Sequence, residues 1–313
     1  MYTIKQPNCI IFGKNSVNSF KFKENSLVIT SKGAKKRYWL DKLKLKNYYL
    51  FDEIESNPSM NDVDKIISEI NQSNISQVIG LGGGSSLDVA KFVAHKIKKF
   101  KILIPTTFGS GSEVTRISVL KIDGKKKSFH DDELFANVAI IDSEFLNDSP
   151  EIIIKNSAID AIAQCSEAFN SKISNTYTKF FCEKAFGILE NAILKEKYED
   201  LALGSLYSGL GFGNSSTTLG HALSYVYSNE GISHGHALAF TTMLAHKFND
   251  SIFHERFSKI VHKLKFQSIN LKQNMNDAAN LILSDKKHLD NNPKNVTKED
   301  IISLLKEINE IRI

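Results

Sequence analysis

The sequence predicts two halves of different class: an α/β half with a parallel sheet over residues 1–150, and an all-helical half over residues 151–313. Three observations carry this. Short runs rich in β-branched residues alternate with helical stretches before residue 150. Glycine-rich polar loops follow two of those runs. Beyond Pro150, apolar residues recur at spacings of three and four, the helical period.

Taken in order, residues 27–30 (Leu-Val-Ile-Thr) and 48–51 (Tyr-Tyr-Leu-Phe) read as strands. Residues 63–70 have helical spacing. Residues 78–81 form a short buried strand, 86–98 a helix and 101–104 a further strand. Strand–helix alternation with short links predicts a parallel sheet covered by helices. In the second half, residues 152–170, 175–194, 201–210 and 237–248 carry the helical pattern.

With 313 residues, 42% of them apolar, the chain can bury one large core or two medium ones. No run of eighteen apolar residues occurs, so no membrane span is expected. The start lacks the basic and apolar regions of a secretory signal. Three cysteines, Cys9, Cys165 and Cys182, have no metal-type spacing and fit a reducing compartment, so a cytoplasmic location is expected. The formal charge of +5 is carried mostly by lysine, in runs such as Lys125-Lys126-Lys127 that read as solvated surface. No basic stretch interleaves with aromatics, so nucleic acid is not expected as a partner. The positive field favours small anions, including cofactor phosphates and an acidic substrate.

Gly82-Gly83-Gly84-Ser85-Ser86 follows a strand and opens a helix. Glycine permits close backbone approach, and a helix N-terminus offers free N–H groups to a phosphate. Ser85 and Ser86 can cap the helix or donate to phosphate oxygens. Asp88, in the first turn, is also placed to complement the helix dipole. A bare glycine triplet can be only a tight turn, and this one is not the G-x-G-x-x-G fingerprint. A second polar loop, residues 105–115, follows the next strand, where doubly wound sheets bind ligands.

In the helical half, Asp160 and Gln164 lie four apart and share a helix face. A carboxylate within such an apolar stretch needs a partner or a metal. His221 and His234 flank a short segment. One Asp, two His and a further oxygen donor suit a divalent transition metal with open positions. Each histidine alone could be a satisfied structural residue, and His234-Gly235-His236 could be a tight turn.

Together these segments resemble the iron-containing alcohol dehydrogenase family. The matching runs are residues 80–91, 105–115, 139–142, Asp160-Ala161-Ile162 with Glu167-Ala168, Gly220-His221-Ala222-Leu223 and His234-Gly235-His236-Ala237. They stand in the family's order, and the tail with Asn292-Pro293 also looks similar. The resemblance implies a dinucleotide-binding domain, a helical metal-binding domain, hydride transfer between NAD(P) and an alcohol or aldehyde, and a dimer or larger homo-oligomer. By position, Gly82, Gly83, Gly84 and Ser85 would hold the pyrophosphate. Asp88 would sit near the nicotinamide, and Thr106 and Thr107 would line the cofactor cleft. Asp160, Gln164, His221 and His234 would be the metal set.

The chain departs from the family in three ways. Gln164 stands where a histidine ligand is usual, and an amide carbonyl is a harder, weaker donor than imidazole. Iron(II) is the first expectation, with zinc(II) or manganese(II) as alternatives. Tyr225 replaces a histidine common four residues after the first ligand. The chain is also short for the family. Ser31 falls where NAD-preferring members often carry Asp; with Lys32, Lys35 and Lys36 nearby it permits NADP(H) as well as NAD(H).

The 160–164, 221–225 and 234–237 segments, with Thr115-Arg116 and residues 124–128, look similar to the branch that includes phosphonoacetaldehyde reductases. That resemblance implies reduction of phosphonoacetaldehyde to 2-hydroxyethylphosphonate. Arg116 would grip the phosphonate with its two-pronged guanidinium, or form a surface salt bridge. The metal would polarise the aldehyde oxygen, with Tyr225 or His236 as proton donors. Competing expectations are a broad short-chain alcohol or semialdehyde dehydrogenase, a polyol-phosphate dehydrogenase or dehydroquinate-synthase-like enzyme, and a non-catalytic nucleotide-binding protein with a decayed metal site.

Overall fold

Eight strands and three α-helices make up the first unit of the protein, in a computed structural model that describes residues 1–70 and 74–312. The strands are β1 (Cys9–Phe12), β2 (Ser26–Ile29), β3 (Tyr48–Phe51), β4 (Gln77–Gly82), β5 (Phe100–Pro105), β6 (Ile117–Ile122), β7 (Lys125–His130) and β8 (Val138–Ile141). The helices are α1 (Lys32–Lys36), α2 (Met60–Glu69) and α3 (Gly84–Lys96). This unit is Thr3–Pro150, and Glu151–Ile313 forms the other.

Six of the strands build one sheet in the order β1-β8-β5-β4-β2-β3, with every pairing parallel. Every residue of β2, β4 and β8 is buried. That explains why the sequence shows unbroken apolar runs rather than alternation there. The order also places a switch point. From β2 the chain adds β3 on one side, then crosses back to add β4 on the other. The loops after β2 and β4 are therefore neighbours at the carboxyl edge, the usual ligand position in such sheets.

Strands β6 and β7 form an antiparallel hairpin closed by Asp123 and Gly124, both at positive φ. An Asp-Gly pair suits that two-residue turn. The lysine run 125–127 is thus one strand of the hairpin, alternating partly buried and exposed positions.

The second unit contains, among the described residues, α4 (Glu151–Asn170), α5 (Thr176–Leu194), α6 (Leu201–Phe212), α7 (Leu219–Asn229), α8 (His234–Phe248), α9 (His254–Leu264), α10 (Met275–Leu283), α11 (Lys286–Asp290) and α12 (Lys298–Glu310). Reciprocal side-chain caps start α5 (Asn175 with Thr178) and α12 (Thr297 with Asp300), satisfying amides that the helix leaves unpaired. No helix among the described residues is long and apolar enough to cross a membrane.

Helix α8 begins at His234, so His234-Gly235-His236 is the first helical turn and not a tight turn. Its N-cap, Ser233, makes no capping bond of its own. Asn156 of α4 does this from across: its Oδ1 accepts from the His236 amide at 2.9 Å and from the Ser233 hydroxyl at 2.6 Å. Gly235 makes the approach possible, because a Cβ there would lie 2.1 Å from the Asn156 carbonyl oxygen.

Candidate functional site

Three helices deliver the metal-type residues to one place. Asp160 comes from α4, His221 from α7 and His234 from α8, and one potential ligand atom of each lies within 4.8 Å of the others. The Asp160 Oδ1 atom is 3.9 Å from His221 Nε2 and 3.8 Å from His234 Nε2. These separations are too long for hydrogen bonds and suit ligands facing a common centre.

The His221 ring is held by Glu167, one of the most enclosed carboxylates in the protein. Glu167 Oε2 bonds to His221 Nδ1, and Oε1 accepts from Thr218 Oγ1 at 2.9 Å and from the Gly220 amide at 2.5 Å. Burial pushes the Glu167 pKa up, but His221, then His246 and Thr218, bring it down to about 2. An ionised carboxylate can only accept, so Nδ1 carries a proton, and in the neutral imidazole Nε2 is then the nitrogen with the lone pair. That Nε2 is buried without a hydrogen-bond partner. An orphaned imidazole nitrogen, backed by a carboxylate and facing an aspartate and a second histidine, is the arrangement metal-ligating histidines adopt. Gln164 reaches the same place: its Nε2 donates to Asp160 Oδ1 at 2.9 Å, and its Oε1 is buried and unpaired. Two unpaired donor atoms of the kinds that bind metals are thus buried here, and the residues fit a divalent transition metal.

Tyr225 is one turn beyond His221 on α7. Its ring lies 6.2 Å from that of His234 and 5.8 Å from that of His288. Burial, with Asp285, Asp160 and Glu167 nearby, raises its pKa well above the ordinary phenol value, so it stays a neutral phenol whose O–H can donate a hydrogen bond. His236 is placed differently from the expectation. Its Nε2 bonds the Gln267 carbonyl at 2.5 Å and its ring lies over Phe266 at 5.0 Å. Two residues past His234 on a helix, it faces another side and does not join the cluster.

In the first unit, the glycine loop leads from β4 into α3. Gly82 has φ of 153°, and Gly83 is the N-cap of α3. A Cβ on Gly83 would meet Thr107 Oγ1 at 3.1 Å, and one on Gly84 would meet Ser110 Cβ at 2.9 Å. The two polar loops therefore pack against each other, and the glycines permit it. Residues 83–85 remain partly accessible at the helix start, as does Thr107, whereas Thr106 is buried and its amide donates to the Gly82 carbonyl.

Asp88 is engaged by protein donors: Ser112 Oγ at 2.6 Å on Oδ1 and the Val119 amide at 2.9 Å on Oδ2. It ties α3 to the second loop and to β6. Fully buried Lys91, 3.8 Å from Asp88, donates to the Ile117 carbonyl at 2.6 Å. Its pKa falls to about 8 through burial, against the pull of Asp88 and Glu113. Buried Glu113 is pushed up to about 7 by the same desolvation.

These contacts bear on two expectations that the sequence left open. Arg116 donates to Asp132 at 2.7 Å, a carboxylate that Lys5 also engages. Arg116 is in the surface salt bridge rather than holding an open fork for a phosphonate. Ser31 caps α1, and the Lys35 ammonium is 2.9 Å from Asp52. Glu53 forms a backbone bridge to Ser31. The Glu53 carboxylate is held by Lys65 at 2.6 Å, so around Ser31 the lysine and carboxylate charges offset one another in pairs.

Two contributors were not expected from the sequence. Glu167 stood in the family-like segment without a role. His288, with Asp285 at the start of α11, is brought against His221 and Tyr225 by the fold. The Asp-x-x-His spacing was a visible signal of a paired imidazole, but not of what it would face.

The first unit thus carries a parallel sheet with a glycine loop at its switch point, and the helical unit a carboxylate–imidazole cluster suited to a metal. The chain matches the model of iron-containing alcohol dehydrogenases over residues 7–143 and that of the family's C-terminal region over residues 154–284. It belongs to the iron-containing alcohol dehydrogenase family. It is similar to 4-hydroxybutyrate dehydrogenase of Clostridium kluyveri, 33% identical over 58% of this chain and 56% of that protein. It is similar to sulfoacetaldehyde reductase of Bilophila wadsworthia, 27% identical over 69% of this chain and 63% of that protein. The matches span little more than half the length of several such relatives. The crystal structure of sulfoacetaldehyde reductase from Bifidobacterium kashiwanohense, in complex with NAD+, has the same fold. Its TM-score is 0.88 at 22% identity, with all of both chains covered.

Proposed function

We propose that the protein reduces a small anionic aldehyde to its alcohol, using a nicotinamide cofactor and a divalent metal, with phosphonoacetaldehyde as the specific substrate expected. The convergence of Asp160, His221 and His234, with His221 Nε2 buried and unpaired among them, carries this reading. Asp160, His221 and His234 would hold the metal, with the Gln164 carbonyl as fourth donor and iron(II) as the first choice. When bound, the metal would act as Lewis acid on the carbonyl and the nicotinamide would supply the hydride. Glu167 fixes the tautomer of His221. Tyr225 keeps its proton and is placed to give it up toward the forming alkoxide. Gly83, Gly84 and Ser85 offer the α3 N-terminus to the pyrophosphate. Ser31 itself brings no carboxylate against a 2′-phosphate, and Asp52 and Glu53 nearby are paired with Lys35 and Lys65, so NADP(H) is expected to be accepted as well as NAD(H).

The small anionic substrate is supported by the overall positive charge and by relatives whose names refer to 4-hydroxybutyrate and sulfoacetaldehyde. The test is oxidation of NADH and NADPH by iron(II)-loaded protein against phosphonoacetaldehyde, sulfoacetaldehyde, malonic and succinic semialdehydes and simple aldehydes. Turnover concentrated on phosphonoacetaldehyde supports the specific substrate. Comparable rates on several aldehydes leave the broader dehydrogenase. His221→Ala and His234→Ala should each lose metal and turnover together; activity retained without metal overturns the metal-assisted reading.

A further inference from the structure

The rings of four residues in the helical unit close a quadrilateral. His221 and His234 are 5.5 Å apart, His234 and Tyr225 6.2 Å, Tyr225 and His288 5.8 Å, and His288 and His221 6.3 Å. His221 and His234 form the metal-ligand side. Tyr225 and His288 form the other. His288 is only 5% exposed, and Asp285 Oδ2 bonds its Nδ1 at 2.6 Å. The Asp285 carboxylate can only accept, so Nδ1 carries the hydrogen and Nε2 keeps a lone pair. No described residue hydrogen-bonds that Nε2. That nitrogen is not one of the fully enclosed unpaired atoms, as His221 Nε2 is, so the donor of a ligand can reach it. His288 stands outside the three-residue group able to share an ion, so its lone pair serves something other than first-rank ligation.

We infer that His288, oriented by Asp285, contacts the substrate and accepts a hydrogen bond from the alcohol hydroxyl, so that the site distinguishes alcohol from aldehyde. This rests on the proposed aldehyde–alcohol reaction. An alcohol has an O–H to donate to Nε2, whereas a carbonyl oxygen offers only lone pairs and leaves Nε2 unpaired. Tyr225, the other residue on this side, is a donor. The pair presents one acceptor and one donor to the two forms of the same oxygen.

The test uses zinc(II)-loaded full-length protein and isothermal titration. Three alcohols are each compared with the analogue lacking the hydroxyl: 2-hydroxyethylphosphonate with ethylphosphonate, 2-hydroxyethanesulfonate with ethanesulfonate, and 4-hydroxybutyrate with butyrate. The pair used is the one whose aldehyde is reduced fastest. In His288→Ala the preference for the hydroxylated member should fall roughly 5- to 100-fold, the range for a buried hydrogen bond lost with its partner left unpaired. Binding of the deoxy analogue and the zinc content should stay at the wild-type level. His288→Gln, whose side-chain oxygen can still accept, should restore part of the preference, and Asp285→Asn should lower it by disturbing the tautomer. An unchanged preference in His288→Ala with zinc retained overturns the inference alone. Silence of the wild-type protein across the aldehyde panel overturns the parent reading and this one with it.

Discussion

Replacing Gly235 by alanine tests whether the separation of α4 and α8 sets the metal centre. The added Cβ would lie 2.1 Å from the Asn156 carbonyl oxygen, 2.7 Å from its carbon and 2.8 Å from its Cα. Ordinary contact begins at 3.4 Å, so the first of these is about 1.3 Å short. The obstacle is helix backbone, which cannot rotate aside as a side chain can. The first turn of α8 must therefore move by about 1 Å. That motion carries His234 with it and stretches the bond from the His236 amide to Asn156. Asp160 lies one turn beyond Asn156 on α4 and stays with that helix. Overpacking of this kind costs about 1–3 kcal/mol. At about 2–4 °C per kcal/mol for a domain of this size, the melting temperature should fall by several degrees. Misplacing a ligand by about 1 Å should lower kcat/KM on the order of 100-fold. The assays are thermal unfolding of metal-free protein, zinc affinity by chelator competition, and turnover. Gly187 of α5 is the control. A Cβ there meets nothing within 4 Å, so Gly187→Ala should stabilise by up to about 1 kcal/mol. Wild-type melting and zinc affinity in Gly235→Ala would refute the gauge role of this contact.

Glu167→Gln should weaken metal binding roughly 10–100-fold, because the amide cannot accept from His221 Nδ1, Thr218 and the Gly220 amide all at once; equilibrium dialysis with zinc reads this directly. Gly84→Ala, with its Cβ 2.9 Å from Ser110 Cβ, should raise the dissociation constant for NADH in fluorescence titration while leaving metal content unchanged. Glu113 predicts a pH effect on stability. Its folded pKa of about 7 lies above the ordinary value of 4.5, so between these values the folded chain holds a proton that the unfolded chain releases. Stability should therefore fall as pH rises from about 4.5 to 7, by up to roughly 3 kcal/mol, and Glu113→Gln should flatten that slope in urea titrations at a series of pH values.

The sheet was legible in outline because its central strands are buried on both faces and read as unbroken apolar runs, as β2 and β4 do. β1 was not read, although Cys9-Ile10-Ile11-Phe12 is an apolar run; it lies at the sheet edge with Cys9 and Phe12 exposed, outside any strand–helix alternation visible in the sequence. β8 was visible only as a family-like segment. In the β6–β7 hairpin the lysines masked the strand period, although the Asp123-Gly124 turn signal was present. Asp160, His221 and His234 could be picked out from residue type and context, and the fold does bring them together. His236 was expected near His234 as a proton donor because both stand in one short motif. A helix turns by about 100° per residue, and that separates them. His288 was out of reach, because its role depends on α11 packing against α7, a contact between positions more than sixty residues apart.

The start of α8 is fixed from the side by Asn156 and Gly235, and its N-cap residue contributes no capping bond of its own. The stretch joining α7 to α8 consequently bridges two anchored ends without dictating where the second begins. Its length is thus an incidental property of the chain. Two glycines inserted between Gly231 and Ile232 should leave zinc binding within a few-fold of wild type. The number of residues separating the two ligand histidines is then free to drift, while the side-to-side seat on α4 is not.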